Sequence, residues 1–235
     1  MALFGATALV IALSPSTYSR TNCVAIATHI YASTWRVLPW FTVAAALASL
    51  VLIRIVAVTA LSYGLSQYAL EMMVRVLVLE LIPLSAALFV ALRAGMAFNA
   101  GGTPQQMQAQ LNAVMNFRNG VVPEVIASAF SVLSLAMVNS AIVLVLAYLN
   151  VYGLSPWGLV DYTRTVGRVF DPVVTAGFAL KTVLFGMAVA VIPLAAMVEF
   201  ARRGEMPSST MQPGAVRLFF ILLLIEAGSL AVKYI

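Results

Sequence analysis

The chain has 235 residues, of which 63% are hydrophobic and 9% are charged. Soluble domains carry about 25% charged residues, so this chain has too few to cover a water-exposed surface, and its long apolar runs indicate a membrane protein. The net charge of +5 comes without a basic stretch interleaved with aromatics, which favours contact with anionic lipid over binding of nucleic acid.

The single Cys23 and the single His29 exclude an intrachain disulfide and metal sites built from cysteine clusters or histidine pairs. Both residues are interpreted as packing or interfacial residues. No Ser-His-Asp set occurs, and GFALKT around Lys181 lacks the second glycine of a phosphate loop. The sequence therefore predicts neither catalysis nor a metal site, and no ATP binding by the chain alone.

Residues 1–36 are predicted to form an interfacial helical segment. The run MALFGATALVIAL is short for a span, and no basic region precedes it, as one would in a signal peptide. Arg20 and Arg36 would lie at headgroup level. The alternative is an uncleaved signal-like segment.

Residues 37–235 are predicted to form an all-α integral membrane domain with five transmembrane helices. Each run has roughly the 20 apolar residues that a bilayer core requires, and a lone apolar run must satisfy its backbone internally, as a helix does. The connections NAGGTPQQ, NFRNG, NVYGLSPWG and RRGEMPSST carry turn residues. The predicted spans are 39–64, 67–95, 121–149, 172–200 and 214–233.

The distribution of basic residues in short loops predicts the orientation. With a cytoplasmic amino end, the residues inside are Arg20, Arg36, Arg118, Arg202, Arg203 and Arg217. Those outside are Arg164, Arg168 and Lys233, of which two are neutralised by Asp161 and Asp171. This asymmetry predicts an amino end in the cytoplasm and a carboxyl end on the other side.

Residues 104–116 are predicted to form a short amphipathic helix on the cytoplasmic side, between spans two and three. Thr103 suits its N-cap and Pro104 its first turn. One face carries the apolar side chains Met107, Leu111, Val114 and Met115. The amide-rich other face leaves two interpretations open, a helix that rests on lipid and a helix that docks a cytoplasmic partner.

Span two carries charges within an apolar run. Glu80 and Arg93 are 13 positions apart, roughly 20 Å along a helix, so they are not expected to pair. Arg93 is predicted at the cytoplasmic headgroups, and Glu71 and Arg75 are spaced to pair with each other. A carboxylate at the depth of Glu80 is costly unless it is paired or faces water. Arg54 and Lys181 are its candidate partners from other spans.

Several short elements of the chain recur in a known family. They are Leu79-Glu80-Leu81-Ile82-Pro83, Leu92-Arg93-Ala94-Gly95, Gly101-Gly102-Thr103, Gln105-Gln106-Met107-Gln108-Ala109, Val122-Pro123-Glu124 and Lys181-Thr182-Val183-Leu184-Phe185-Gly186. In order and spacing they resemble the MlaE/YrbE-type permeases of lipid-transporting ABC systems over about residues 35–235. The chain departs from the family pattern in having Leu79 for Arg, Ile82 for Gly, and Gly or Gln for the acidic residues of the turn and coupling helix.

The resemblance implies a permease subunit of the bacterial inner membrane that moves phospholipid or a related lipid and contributes to lipid asymmetry of the outer membrane. Its implied partners are a second permease copy, identical or different, a cytoplasmic ABC ATPase that carries ATP and Mg, a periplasmic MCE protein and a small STAS-like cytoplasmic subunit. The ATPase would dock on a coupling helix formed by Gln105, Gln106, Met107, Gln108, Ala109, Leu111 and Asn112.

The resemblance also implies roles for single residues. The lipid pathway would include Arg75, Leu79, Glu80 and Pro83, and Arg93 would lie at the coupling end of span two. Glu80 would face the cavity between subunits, with Arg75 or a basic residue from another helix nearby, because the arginine that precedes it in the family is absent at Leu79. Structural roles fall to Pro123, Lys181, Phe185 and Gly186.

Two other functions remain open on the sequence. A self-sufficient secondary transporter or channel would be expected to show related halves, and no internal repeat is visible. A non-transporting anchor or assembly subunit is compatible with the departures from the family motifs.

Overall fold

The helices were located in a computed structural model that describes residues 31–35, 38–100, 122–203 and 214–234. Within these ranges the chain forms a single π-helical turn at Tyr31–Trp35, seven α-helices, one longer π-helical segment and a short 3-10 turn at Pro156–Gly158. The α-helices are α1 (Leu38–Ser62), α2 (Ser66–Met73), α3 (Ile82–Ala100), α4 (Val122–Tyr152), α5 (Leu159–Val169), α6 (Pro172–Arg203) and α7 (Ala215–Tyr234).

Helix α1 ends in a tight turn that reverses the chain. Gly64 has a φ of 71°, a conformation that glycine adopts without strain. Its N–H donates to the Leu61 carbonyl at 3.1 Å, and the Leu65 N–H donates to the Ala60 carbonyl at 2.8 Å. These two bonds form a Schellman motif, which satisfies carbonyls at the end of the helix. The turn sends α2 back alongside α1.

The second long helical stretch of the bundle, residues 66–100, is continuous but changes its helical form, and we call it the second rod. Between α2 and α3 lies a π-helical segment at Val74–Leu81, and the Ile82 N–H donates five residues back to the Leu77 carbonyl. Both junctions keep right-handed helical dihedral angles. Pro83 follows at once and lacks an N–H, so the Leu79 carbonyl, four residues earlier, loses its α-helical donor. Such π-helical insertions are frequent at functional sites.

Helix α5 was not predicted from the sequence. Tyr162, Val166 and Val169 form its inward stripe at a spacing of i, i+4 and i+7. The Tyr162 hydroxyl donates to the Leu144 carbonyl of α4 at 2.7 Å, and its ring meets that of Tyr148 edge-on with centroids 5.1 Å apart. Helix α5 thus caps the end of the bundle at which α4 ends and α2 begins.

Helix α4 is central and packs against α1, α3 and α6, while α7 packs mainly on α6. At the crossing of α4 and α6, a Cβ on Gly186 would lie 3.1 Å from the Cα and the carbonyl oxygen of Ala129. This glycine therefore lets the two backbones approach closely. Phe185 beside it is fully buried. The π-helical turn is tied to α4 by a buried hydrogen bond of 2.6 Å between Thr34 Oγ1 and Ser131 Oγ.

The predicted spans coincide with observed helices to within a few residues at most ends. Four helical stretches within the described residues are long and apolar enough to cross a membrane: Leu38–Ser62, Tyr68–Arg93, Val125–Tyr152 and Pro172–Ala196. Helix α7 occupies the predicted fifth span, and its crossing of the membrane stays a prediction. The predicted interfacial segment, apart from Tyr31–Trp35, and the predicted coupling helix at 104–116 lie outside the described residues.

Candidate functional site

The centre of the bundle contains a buried ammonium group. Lys181 lies on α6, about 14 Å from the start of the helix at 1.5 Å per residue, and about halfway through a hydrocarbon core of about 30 Å. Its side chain is only 3% exposed. A charge at this depth is expensive unless other groups compensate it, so its partners decide how the site is built.

Lys181 is held by acceptors from two other elements of the bundle. Its Nζ forms an ion pair with Glu80 Oε2 of the π-helical segment, lies 2.7 Å from Glu226 Oε2 of α7 and donates to the Leu79 carbonyl at 3.4 Å. Its hydrogen bonds go to Glu80 and to the Leu79 carbonyl, and Glu226 contributes a second negative charge beside the ammonium. We call Glu80, Lys181 and Glu226 the charge triad.

The carbonyl acceptor lies in a stretch whose hydrogen bonding is altered by Pro83. Because Pro83 has no N–H, the Leu79 carbonyl is released from the helical hydrogen-bond pattern. Pro83 cannot supply the α-helical donor to the Leu79 carbonyl, and Lys181 donates to this carbonyl. The proline therefore prepares part of the binding site for the ammonium, and it lies in the same short motif as Glu80.

The structure gives Glu80 a partner, while its predicted position facing a cavity between subunits stays a prediction. Position 79 has leucine in place of the family's arginine, and Lys181 of α6 provides the close cation instead. Lys181 was one of the two candidate partners, and the other, Arg54, is exposed on α1. Glu80 is therefore buried within the helices of one subunit and keeps 15% of its side-chain surface exposed.

Glu226 was missed by the sequence analysis. Its side chain is 14% exposed, and burial of a carboxylate within the bundle is explained by the adjacent ammonium. A signal was present, because a lone carboxylate interrupts the apolar run LFFILLLIEAGSL. The same reasoning that singled out Glu80 in span two applies to Glu226 in α7.

A second charged pair lies on the same rod, nearer to the α1–α2 turn. As predicted, Arg75 and Glu71 form an ion pair, with Arg75 Nη2 2.8 Å from Glu71 Oε1. The two side chains are 41% and 30% exposed. They line an open groove of about 440 Å³ together with Leu65, Tyr68 and Met72. We call this the Tyr68 groove.

The other predicted site residues fall into distinct places. Leu79 and Pro83 are buried between helices, so of the four predicted pathway residues Glu80 and Arg75 retain accessible surface. Arg93 lies on α3, well beyond Glu80 on the same rod, and Glu80 pairs with Lys181 instead. Pro123 is in the first turn of α4. Lys181, Phe185 and Gly186 share the face of α6 toward the bundle interior.

These features define a class of protein. Long apolar helices with paired charges at half their depth are typical of membrane proteins that conduct a substrate, because ionisable groups are otherwise excluded from the hydrocarbon region. Within the part of the chain that the structure describes, no cluster of His, Cys, Asp and Glu suited to a metal ion occurs. The site is a cluster of charged side chains within a multi-pass membrane protein.

A comparison with family models identifies the type of transporter. The model of Permease MlaE matches residues 26–230, which is most of the chain. The chain belongs to the MlaE permease family and is a lipid-transport permease. No curated protein and no solved structure matches it.

Proposed function

We propose that the chain is the membrane subunit of an ATP-driven transporter that moves phospholipid or a related lipid between the bacterial inner membrane and a periplasmic MCE-type carrier. The observation that carries this proposal is the match to the MlaE permease family over residues 26–230. The chain would act with a second permease copy, and its amino end would lie in the cytoplasm. ATP and Mg would be bound by a cytoplasmic ABC ATPase, with a STAS-like protein as a further subunit.

The charge triad fits a part in moving a lipid. A lipid pathway needs apolar walls for the acyl chains and a few polar groups for the headgroup. Lys181 joins α6 to the π-helical segment and to α7, so any change in the relative position of these elements changes its ion pairs. Glu80 and Glu226, each partly exposed, are the members that a headgroup would reach.

Reconstitution of the complex tests the proposed function. The chain would be produced with an ABC ATPase and an MCE protein from the same organism, placed in vesicles with fluorescent phospholipid, and assayed for ATP-dependent transfer to the carrier. Glu80→Gln is expected to preserve assembly, because Lys181 retains Glu226, and to change the transfer rate. The matched control is Arg54→Gln, which removes an exposed charge from α1.

The alternative functions give different results in the same assay. Lipid movement by the chain without any ATPase would indicate a secondary transporter. Partners that co-purify at full yield, together with transfer that is unaffected by Glu80→Gln and Lys181→Met, would indicate an anchor subunit and contradict the proposal.

A further inference from the structure

The Tyr68 groove combines an apolar wall with a charged pair. Leu65, Tyr68 and Met72 are each about half exposed and follow the helix at spacings of three and four, so they lie along one side. Glu71 and Arg75 lie next to them. The Schellman turn at Gly64 fixes where this surface begins, since it sets the direction in which Leu65 and α2 leave the turn.

The groove lies next to the α1–α2 turn, at one end of the stretch Tyr68–Arg93 that is long and apolar enough to cross a membrane. Glu71 and Arg75 are about 8 and 13 Å along the helix from Ser66, at 1.5 Å per residue, and a long arginine side chain near such a helix end reaches lipid headgroups by snorkelling. Helix α5 packs beside α2 at this end and presents the exposed Arg164 and Arg168, and Trp157 of the preceding 3-10 turn is exposed as well. An exposed tryptophan with basic residues is typical of the membrane interface.

The charged pair has capacity for a ligand. Arg75 directs Nη2 to Glu71 and keeps 41% of its side-chain surface exposed, although its Nε is buried. A guanidinium offers five N–H donors in a planar fork that suits phosphate. The carboxylate beside it repels an anionic ligand that lacks a positive group, and it accepts hydrogen bonds from a primary ammonium group.

We propose that the Tyr68 groove binds a phospholipid headgroup that carries both a phosphate and a primary amine, with the phosphate at Arg75 and the amine at Glu71. The apolar wall of Leu65, Tyr68 and Met72 receives the glycerol and the start of the acyl chains. This inference rests on the proposed function, for which it names the headgroup class. The groove discriminates against headgroups that are purely anionic, because Glu71 then faces a second negative charge.

A photo-cross-linking experiment reads out the headgroup directly. Benzoylphenylalanine replaces Met72 in the groove or, as a control, Phe220, which is exposed on α7. The full chain is reconstituted in vesicles with equal amounts of phosphatidylethanolamine and phosphatidylglycerol, and the adducts are quantified by mass spectrometry. We expect the ratio of ethanolamine to glycerol lipid at position 72 to exceed that at position 220 several-fold.

Variants of the pair separate the roles of the two charges. Glu71→Gln should lower the ratio at position 72 to the value at position 220, and Arg75→Gln should reduce total lipid adducts at position 72. Both variants should fold, since a pair this exposed contributes little stability. The inference would be overturned if the lipid ratios at positions 72 and 220 were equal while Glu71 and Arg75 are both present. It would also be overturned if the preference for the ethanolamine lipid at position 72 survived Glu71→Gln.

Two further experiments identify the source of the ligand and distinguish a failure of the headgroup site from a failure of the proposed transport function. Soluble phosphoethanolamine should leave the adducts unchanged, because it lacks the apolar part that the groove contacts, and complete displacement would overturn a lipid ligand. If the ratio is biased while the assembled complex moves no lipid, the proposed function fails and the headgroup site stands. If lipid is transferred while the ratio is unbiased, the transport function stands and the headgroup site fails.

Discussion

Lys181 of α6 and Glu80 of the π-helical segment form a buried ion pair although 101 positions separate them in the sequence. The same ammonium lies 2.7 Å from Glu226 of α7. Three parts of the bundle therefore meet at one side chain. Because two carboxylates are partly withdrawn from water beside it, removal of the ammonium and removal of one carboxylate should have very different consequences.

Lys181→Met should destabilise the folded chain by about 3–5 kcal/mol, the range for breaking a buried ion pair by removal of one partner. The variant leaves two carboxylates without their cation and the Leu79 carbonyl without its donor. Glu80→Gln should have a smaller effect, since Lys181 retains Glu226 and an amide oxygen can still accept its hydrogen bond. The free energy of unfolding in mild detergent measures both.

The triple variant Lys181→Met, Glu80→Gln, Glu226→Gln tests whether the stability lost in Lys181→Met is caused by the two carboxylates left without a cation. It removes all three charges and should recover most of the stability lost in Lys181→Met, because neutral replacement of a buried cluster is often tolerated. Equal destabilisation of the single and triple variants would show that packing of the lysine stem, rather than its charge, holds the three elements together.

Replacing each of two glycines of α6 by alanine should change the stability of the chain in opposite directions. Alanine favours a helix by about 1 kcal/mol over glycine, and a Cβ on Gly177 would have nothing within 4 Å, so Gly177→Ala should stabilise the chain by up to that amount. At Gly186 the new methyl group meets the Ala129 backbone at 3.1 Å, and overpacking costs about 1–3 kcal/mol. Gly186→Ala should therefore have a lower melting temperature than Gly177→Ala, and the reverse order would refute the close approach of α4 and α6.

Burial raises the pKa of Tyr162 in α5 from 10.0 to about 12. Below pH 10 the phenol is protonated in the folded and the unfolded chain, and its contribution to stability is fully present. As the pH rises from 10 to 12, the unfolded chain releases this proton first, so the contribution is lost progressively. Thermal unfolding temperatures across this window should fall less steeply for Tyr162→Phe than for the unmodified chain. The control is Tyr63→Phe, whose ring is exposed after α1, and an equal change in both variants would contradict the assignment.

The sequence predicts what is determined locally. The apolar runs locate the long helices, and the i, i+4 spacing predicts the ion pair of Glu71 and Arg75, since both follow from neighbours along one helix. The partner of Glu80 could only be narrowed to Arg54 or Lys181, because the choice depends on which face of a distant helix meets the rod.

The features that sequence reasoning missed have physical explanations. Helix α5 is short and was obscured by its charged residues, although Tyr162, Val166 and Val169 carry a helical stripe. The π-helical form of Val74–Leu81 depends on how the rod accommodates Pro83 and its neighbours, not on propensity alone. Glu226 was overlooked although it interrupts an apolar run in the same way as Glu80.

The predicted coupling helix at 104–116 gives the last test, and it concerns assembly rather than stability. Its apolar face, with Met107 and Leu111, should enter a groove of the ATPase. Met107→Asp combined with Leu111→Asp places two carboxylates on that face, where burial without a partner is unfavourable. The double variant should reach the membrane in normal amount but retain little ATPase on affinity purification. The control is Asn116→Asp, nine positions after Met107 and therefore about 180° round the predicted helix from it, which should keep the ATPase. Retention of the ATPase at full yield by the Met107 and Leu111 variant would show that it docks elsewhere, whereas loss of the permease itself from the membrane would show that this face packs against the permease or lipid.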